Sequence, residues 1–348
     1  MLRIDGSTHS GSGTIVRYAA ALATVTGVPL HIHNIRAKRS QPGLRPQHLT
    51  ALRACCELSA GRLQGDQVNS QEIHYWPGRT IAGGDYQWDI GTAGSAIMLA
   101  FTLLAPALRA ESACRFTIFG GLFQDFAPTA FHLREVLVPL LRRMGAEIEI
   151  TIVQPGYVPR GQGCLTLSVK PLRGRLRALK LTDQGEIRHI AGVALASHLN
   201  RERVSERMAA RCREVLADHG YDPDIAVVDD SSAVQPGAAL ALWAHTSTGC
   251  ILGADQAGKR GRKSEAIAEH VCRSLLEDIA AGATVDRFLA DQLILFAALA
   301  EGATTYHIPR TTEHVASNLW LIREILGADS QLQGRRLTIE GVHRQQCC

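Results

Sequence analysis

His314 is the residue best placed to do chemistry, in the run Thr311-Thr-Glu-His-Val-Ala-Ser-Asn-Leu-Trp. Thr311 and Thr312 can cap a helix, and Val315, Leu319, Ile322 and Leu326 recur after them at helical spacing. The imidazole therefore falls in or next to the first turn. There the positive end of the helix dipole disfavours imidazolium and lowers the pKa. A neutral imidazole at pH 7 is what a nucleophilic or metal-binding histidine requires. The plainer alternative is a surface helix that begins with histidine.

Other stretches offer groups that such a histidine would need. Asp5-Gly-Ser-Thr-His-Ser-Gly-Ser-Gly13 runs from a strand into a helix bearing Arg17, and turns of this kind point backbone amides at anions. It is neither a P-loop nor a dinucleotide fingerprint. Gly91-Thr-Ala-Gly-Ser95 repeats the device. Each reads equally as a phosphate site or a tight structural turn. The segment from Ile35 to Thr50 gathers Arg36, Arg39, Gln47 and His48. Its guanidinium forks, amide and imidazole suit phosphate; a merely basic loop is the alternative. Asp291 and Gln292 interrupt the apolar helix Phe288-Leu-Ala-Asp-Gln-Leu-Ile-Leu-Phe. They need partners, either in an internal hydrogen-bond network or on a ligand or metal.

These residues must be positioned by a chain of 348 residues with 46% hydrophobic and 20% charged composition, ordinary for a soluble globular protein. No apolar run is long enough for a membrane span, and the N-terminus lacks a signal peptide's apolar region. The net charge of +4 permits a polyanionic partner without demanding one. Basic residues also cluster at Lys259, Arg260, Arg262 and Lys263. The nine cysteines form no Cys-x-x-Cys pair, which fits a reducing cytoplasm, and Cys347-Cys348 reads as a flexible tail.

Residues 1–80 read as strand, Gly-rich turn, helix, strand, loop, helix and strand. Strands are expected at Leu2–Ile4, Leu30–Ile35 and Glu72–Trp76, and helices at about 14–26 and 46–60. The order recurs over 85–172, with helices at about 96–105 and 129–144. It appears a third time after residue 280, where a helix over 285–300 leads to the strand Thr304–Ile308 and the helix of His314. Three occurrences predict an α/β domain of repeated βαβαββ-type modules, built from 1–181 and 277–340, with 341–348 as a tail. Residues 182–276 break the pattern. Their strands near 190–196, 225–228, 238–244 and 250–253, with helices at 198–219 and from 264, predict a small inserted α/β domain.

Taken together, the stretches resemble RNA 3'-terminal phosphate cyclases. The resemblance rests on Asp5-Gly6 with Gly11, Gly13 and Arg17, Ile35-Arg-Ala-x-Arg, Pro42-Gly-Leu, Gln47-His-Leu-Thr-Ala51, Gly83-Gly-Asp-Tyr and Ile90-Gly-Thr-Ala-Gly-Ser95. It continues through Gly120-Gly with Ala127-Pro128, Gly156-Tyr-x-Pro-Arg-Gly161, Leu289-Ala-Asp-Gln-Leu293 and Glu313-His314 with Asn318. It implies a large domain similar to enolpyruvyl transferases with a thioredoxin-like insert. It also implies use of ATP with Mg²⁺ or Mn²⁺, a covalent bond from His314 to AMP, and conversion of an RNA 3'-phosphate to a 2',3'-cyclic phosphate. By position, Arg17, Arg36, Arg39, Gln47 and His48 would handle phosphate. Pro128 and Phe288 would sandwich adenine, with Asp291 and Gln292 near the nucleotide. The first loop departs from the family pattern: Ser10 replaces a glutamate associated with metal and phosphates, and Thr14 replaces a glutamine. His9 is the remaining candidate metal ligand there. The loop Leu122-Phe-Gln-Asp-Phe126 is also less polar than its counterparts. A paralog adenylylating another phosphorylated end, or a non-catalytic RNA-binding relative of the ribosome-assembly type, stays open, as does homodimerisation.

Overall fold

In the computed structural model, which describes residues 1–125 and 127–342, inward and outward side chains alternate along Leu30–His33 (β2) and Ile73–Trp76 (β4). That period-two pattern makes them strands with one face on the core. Leu2–Asp5 (β1) pairs parallel to β2, and Arg62–Gln64 (β3) closes the sheet in the order β1-β2-β4-β3. Helices Gly13–Thr26 (α1) and Pro46–Leu58 (α2) supply its cover.

The second module repeats this with Gly84–Asp89 (β5), Ala96–Ala107 (α3), Cys114–Gly120 (β6), Glu147–Gln154 (β7) and Gly163–Lys170 (β8), in the order β5-β6-β8-β7. Its second helix comprises Ala130–His132 (α4), a π-helical stretch Leu133–Leu137 and Val138–Arg143 (α5). Pro139 has no N–H to give the preceding turn, so the regular ladder cannot pass through it.

Leu176–Arg177 (β9) and Lys180–Leu181 (β10) follow, and β10 is the first strand of the third sheet. The chain then leaves to build another sheet: Ile187–Ser197 (β11), Val204–Ala217 (α6), Asp224–Asp230 (β12), Gly237–Thr246 (β13), Ile251–Ala257 (β14) and Ser264–Ala280 (α7). Its strand order is β12-β11-β13-β14, and α6 and α7 pack on each other. The third module resumes with Leu289–Leu299 (α8), Ala300–Glu301 (β15), Ala303–His307 (β16), Glu313–Leu326 (α9), Ser330–Gln333 (β17) and Arg336–Glu340 (β18). Its sheet reads β10-β16-β18-β17, the same parallel–antiparallel–antiparallel sequence as the first two. Every residue of α1 is buried, and it packs on α2, α3 and α9. Among the described residues no helix is long and apolar enough to cross a membrane.

Three elements are shorter than the sequence suggests. The strand expected over 30–35 stops at His33, because Asn34 and Arg36 adopt left-handed backbone conformations (φ 52° and 55°). The helix expected over 198–219 starts at Val204, after left-handed His198 and Arg203. The helix expected from 285 starts at Leu289, since Asp286 Oδ1 accepts from the amides of Phe288 and Leu289 and holds the preceding turn. The short edge strands β3 and β17 were not expected; they carry too few apolar residues to show alternation. The tail cysteines Cys347 and Cys348, and Phe126, lie outside the described residues.

The buried Tyr75 hydroxyl binds the core of the first module together. It donates to the Cys55 carbonyl at 3.0 Å and meets the hydroxyls of Thr24 at 2.8 Å and Ser59 at 2.9 Å. Tyr75→Phe should lower the unfolding free energy by about 1–3 kcal/mol in urea denaturation, because the substitution strands buried polar partners.

Candidate active site

The site is built around the start of α1. Ser12 caps this helix, its hydroxyl accepting from the Thr14 amide at 3.3 Å. Gly13 is required by close approach: a Cβ there would lie 1.9 Å from His48 Nε2. The His48 ring in turn closes a capping box on α2, its Nδ1 accepting from the Arg45 amide at 3.2 Å. Burial and the charges of Arg17, Arg36 and Arg45 drive the His48 pKa well down. His48 thus acts as a neutral wedge between α1 and α2.

His314 is the second residue of α9, behind the N-cap Thr312 whose hydroxyl accepts from the Val315 amide at 3.2 Å. Its Nδ1 lies 3.3 Å from Thr14 Oγ1, which also accepts from Arg17 Nη2 at 3.4 Å. Partial burial, then the charges of Arg17 and Arg39, lower the His314 pKa against a small opposing effect of Glu313. The imidazole is neutral at pH 7, as its helix-start position suggests.

His314 lines a cleft of about 270 Å³ together with Thr14, Arg17, Gln47, Pro128, Phe288, Asp291 and Gln292. The cleft therefore joins residues from all three modules. Arg17 is buried without a carboxylate within hydrogen-bonding reach, and desolvation lowers its pKa to about 10, so it stays charged at neutral pH. Five buried side-chain atoms among the described residues have no protein partner: Arg17 Nε, Thr129 Oγ1, His132 Nδ1, Gln292 Oε1 and Asn318 Oδ1. Arg17 and Gln292 line the cleft itself, and Thr129 adjoins the lining residue Pro128. Orphaned polar atoms are costly in an interior, so the two on cleft-lining residues mark a place suited to polar groups.

Phe288 is set by a buried support that sequence reasoning missed. Asp286 accepts from His132 Nε2 at 3.0 Å and from the amides of Gly253, Phe288 and Leu289. The pair is dry, with side chains 1% and 0% exposed, and the His132 ring meets Phe288 edge-on at 5.6 Å. Each partner shifts the other toward its charged form. The only available signal was an Asp and a His isolated in apolar surroundings.

Other expectations change. Arg36 does not line the cleft; its Nη1 donates to the carbonyls of Gln41 and Gly43 and ties off its own loop. Arg39 is exposed and reaches His314 only through its field. The amides of Gly91, Gly94 and Ser95 are taken by Asp89, Thr92 and Gln47, so that turn is structural. Gln47 thereby spans the first two modules. His9 packs edge-on against Trp320 and joins no group of potential metal ligands among the described residues. Ser10 Oγ lies 3.0 Å from Ser12 Oγ and accepts from Ser317 Oγ at 2.8 Å, a ladder of uncharged hydroxyls.

Three repeated α/β modules thus meet at a cleft lined by a neutral histidine and a buried arginine. The chain belongs to the RNA 3'-terminal phosphate cyclase family, whose family model matches residues 8–332. A protein named RNA 3'-terminal phosphate cyclase from Methylococcus capsulatus is 39% identical over 92% of this chain and 90% of its own. Its namesake from Methanothermobacter thermautotrophicus is 37% identical over 97% of each chain, and that from Archaeoglobus fulgidus 34% over 98% and 100%. A solved structure of the enolpyruvyl transferase NikO from Streptomyces tendae superposes with a TM-score of 0.40 at 11% identity, covering 99% of this chain and 49% of that one. A likeness that weak does not bear on the fold, which rests on the strand orders.

Asp291 offers a test of the cleft's electrostatics. Desolvation, then the charge of Asp286, raise its pKa from 3.8 to about 7, against the pull of Arg17. The folded chain thus keeps a proton that the unfolded chain loses, so this group's contribution to stability is full below about pH 4 and falls as pH rises to about 7. Urea titrations of wild type and Asp291→Asn should show wild type losing stability relative to the variant between about pH 4 and pH 7, with little further change above that. A difference independent of pH would contradict the assignment.

Proposed function

We propose that the cleft activates an RNA 3'-phosphate with ATP through a covalent bond at His314. The observation that carries this reading is the 3.3 Å contact between His314 Nδ1 and Thr14 Oγ1: the tautomer in which Nδ1–H donates to that oxygen leaves Nε2 unprotonated on a neutral ring. His314 Nε2 attacks the α-phosphorus of ATP; a nitrogen–phosphorus bond forms, the bond to the bridging oxygen breaks, and pyrophosphate leaves. An oxygen of the RNA 3'-phosphate then displaces His314 and takes up the adenylyl group. The vicinal 2'-hydroxyl attacks the 3'-phosphorus, losing its proton, and AMP departs from the resulting 2',3'-cyclic phosphate. Prior adenylylation is needed because an unmodified phosphate monoester has only oxide to expel.

The residues divide this work. Arg17 offsets charge on the transferring phosphoryl group from a site of low dielectric. Phe288 and Pro128 supply apolar faces for the adenine, Phe288 through its ring. Gln292 offers an amide to the nucleotide. Arg39, exposed beside the site, suits the incoming RNA phosphate, and recognition there reads backbone rather than bases.

A divalent cation belongs to this chemistry by family resemblance, but the cleft's own side chains do not fit a protein-built Mg²⁺ or Mn²⁺ site. Such ions want carboxylate oxygen. Asp125 is held by two bonds from Arg262, Asp291 retains its proton to about pH 7, and Ser10 and Thr14 offer only hydroxyls.

Incubation with α-labelled ATP and either cation should leave an acid-labile label on wild type and none on His314→Ala. Wild type should then convert an oligoribonucleotide 3'-phosphate, but not a 3'-hydroxyl, to a phosphatase-resistant end. Labelling that survives in His314→Ala sinks the proposal. RNA binding with no labelling at all would favour a non-catalytic relative.

A further inference from the structure

The outer face of the first sheet carries a cluster that the cleft does not use. His31 and His74 are direct cross-strand partners on β2 and β4. Their neighbours Leu30, Ile32, Ile73 and Tyr75 point into the core, so period-two geometry sends both imidazoles outward together. Glu72 precedes His74 by two residues and shares its face. The result is a compact group: His31 Nε2 lies 2.6 Å from Glu72 Oε1, and the rings of His31 and His74 stack at 4.2 Å. His33, two residues along β2, brings a third imidazole within 5.7 Å of His31.

Stability does not account for this arrangement. The Glu72 side chain is 59% exposed, and exposed ion pairs contribute little. Ligand chemistry does. One donor atom from each of His31, Glu72 and His74 lies within 4.8 Å of the others, and no other group of three such residues is as close among the described residues.

We propose that His31, Glu72 and His74 form a surface site for a divalent transition-metal ion of the zinc type, with His33 at hand as a further ligand. Two imidazoles and one carboxylate are the borderline donors that zinc, nickel and copper favour over magnesium or calcium. Zinc bonded at about 2.0–2.2 Å needs donors about 3.4 Å apart, so the rings must tilt out of their stack toward one point. The open side of the sheet leaves room for this, while the backbone that spaces the ligands is fixed by cross-strand pairing. Flanking charges are mixed: Arg3 pairs with His31 and Asp5 with His33 across β1. The site is separate from the Mg²⁺ or Mn²⁺ question, because none of its ligands lines the cleft.

The test uses untagged full-length protein, stripped with chelator and titrated with Zn²⁺ alone against a chromophoric competitor. Wild type should take up one equivalent. His74→Ala and Glu72→Gln should each weaken that binding at least about tenfold, a loss expected even for outer-sphere partners. His219→Ala, removing an exposed imidazole elsewhere, should leave it unchanged. Zinc should raise the melting temperature of wild type but not of the His31→Ala/His74→Ala double variant, whose zinc-free melting temperature reports whether it is folded. Absence of zinc uptake by wild type, or uptake by the folded double variant equal to wild type, overturns the site.

Discussion

Helix α1 has no solvent face. All of its residues are buried, so every polar group it carries must be answered from within the protein. Thr24 and Thr26 return their hydroxyls to carbonyls of their own helix, and Tyr18 donates to the Asp291 carbonyl of α8 at 3.1 Å. Arg17 is the exception: it meets Thr14 and keeps Nε unpartnered. A charge so placed is expensive, and the fold retains it at the one end of α1 that opens on the cleft. The three modules converge on this helix, with α2, α3 and α9 as its neighbours. Its burial makes their relative placement a packing problem with little slack.

From this convergence the geometry at His314 follows. A contact between residues 14 and 314 cannot be arranged by either module alone; it exists because α9 lies on α1. The Asp291 carbonyl accepts from both Tyr18 and Asn318, fastening α8 to its two neighbours at the level of the cleft. Asp286 and His132 extend the same construction outward. Gly253 of β14 donates to Asp286, and a Cβ at Gly253 would lie 2.9 Å from the His132 ring. The sheet of β11–β14 thereby touches the support of Phe288. A buried ion pair is a poor source of net stability, but one that also accepts three amides fixes orientation.

Much of this was legible in the sequence. Amphipathic spacing and threonine caps located α9 and put His314 at its start, and repeated strand–turn–helix order announced the modules. What escaped were features decided by long-range contact. The Arg36 guanidinium reads as a phosphate ligand until its loop folds back and presents two carbonyls to it. Gly91–Ser95 reads equally as an anion cradle or a tight turn, and only the fold shows Gln47, from another module, taking the Ser95 amide. Asp286 and His132 lie 154 positions apart, and no local pattern reports their pairing. His31 and His74 likewise become a cluster only through strand register.

The hydroxyl ladder at the first loop sharpens what Arg17 does. Ser10 Oγ lies within hydrogen-bond distance of the hydroxyls of Ser12 and Ser317, so the loop is held without a charge. A carboxylate at position 10 would pull protons toward the site and tend to raise the pKa of His314. Hydroxyls leave the field of Arg17 uncompensated, and that field is the second cause, after burial, that keeps His314 neutral. The same field at close range favours an anion opposite the imidazole. On the proposed reading, the buried Arg17 both adds to the burial that keeps His314 neutral and favours a phosphate opposite it, and the uncharged hydroxyl at position 10 opposes neither effect.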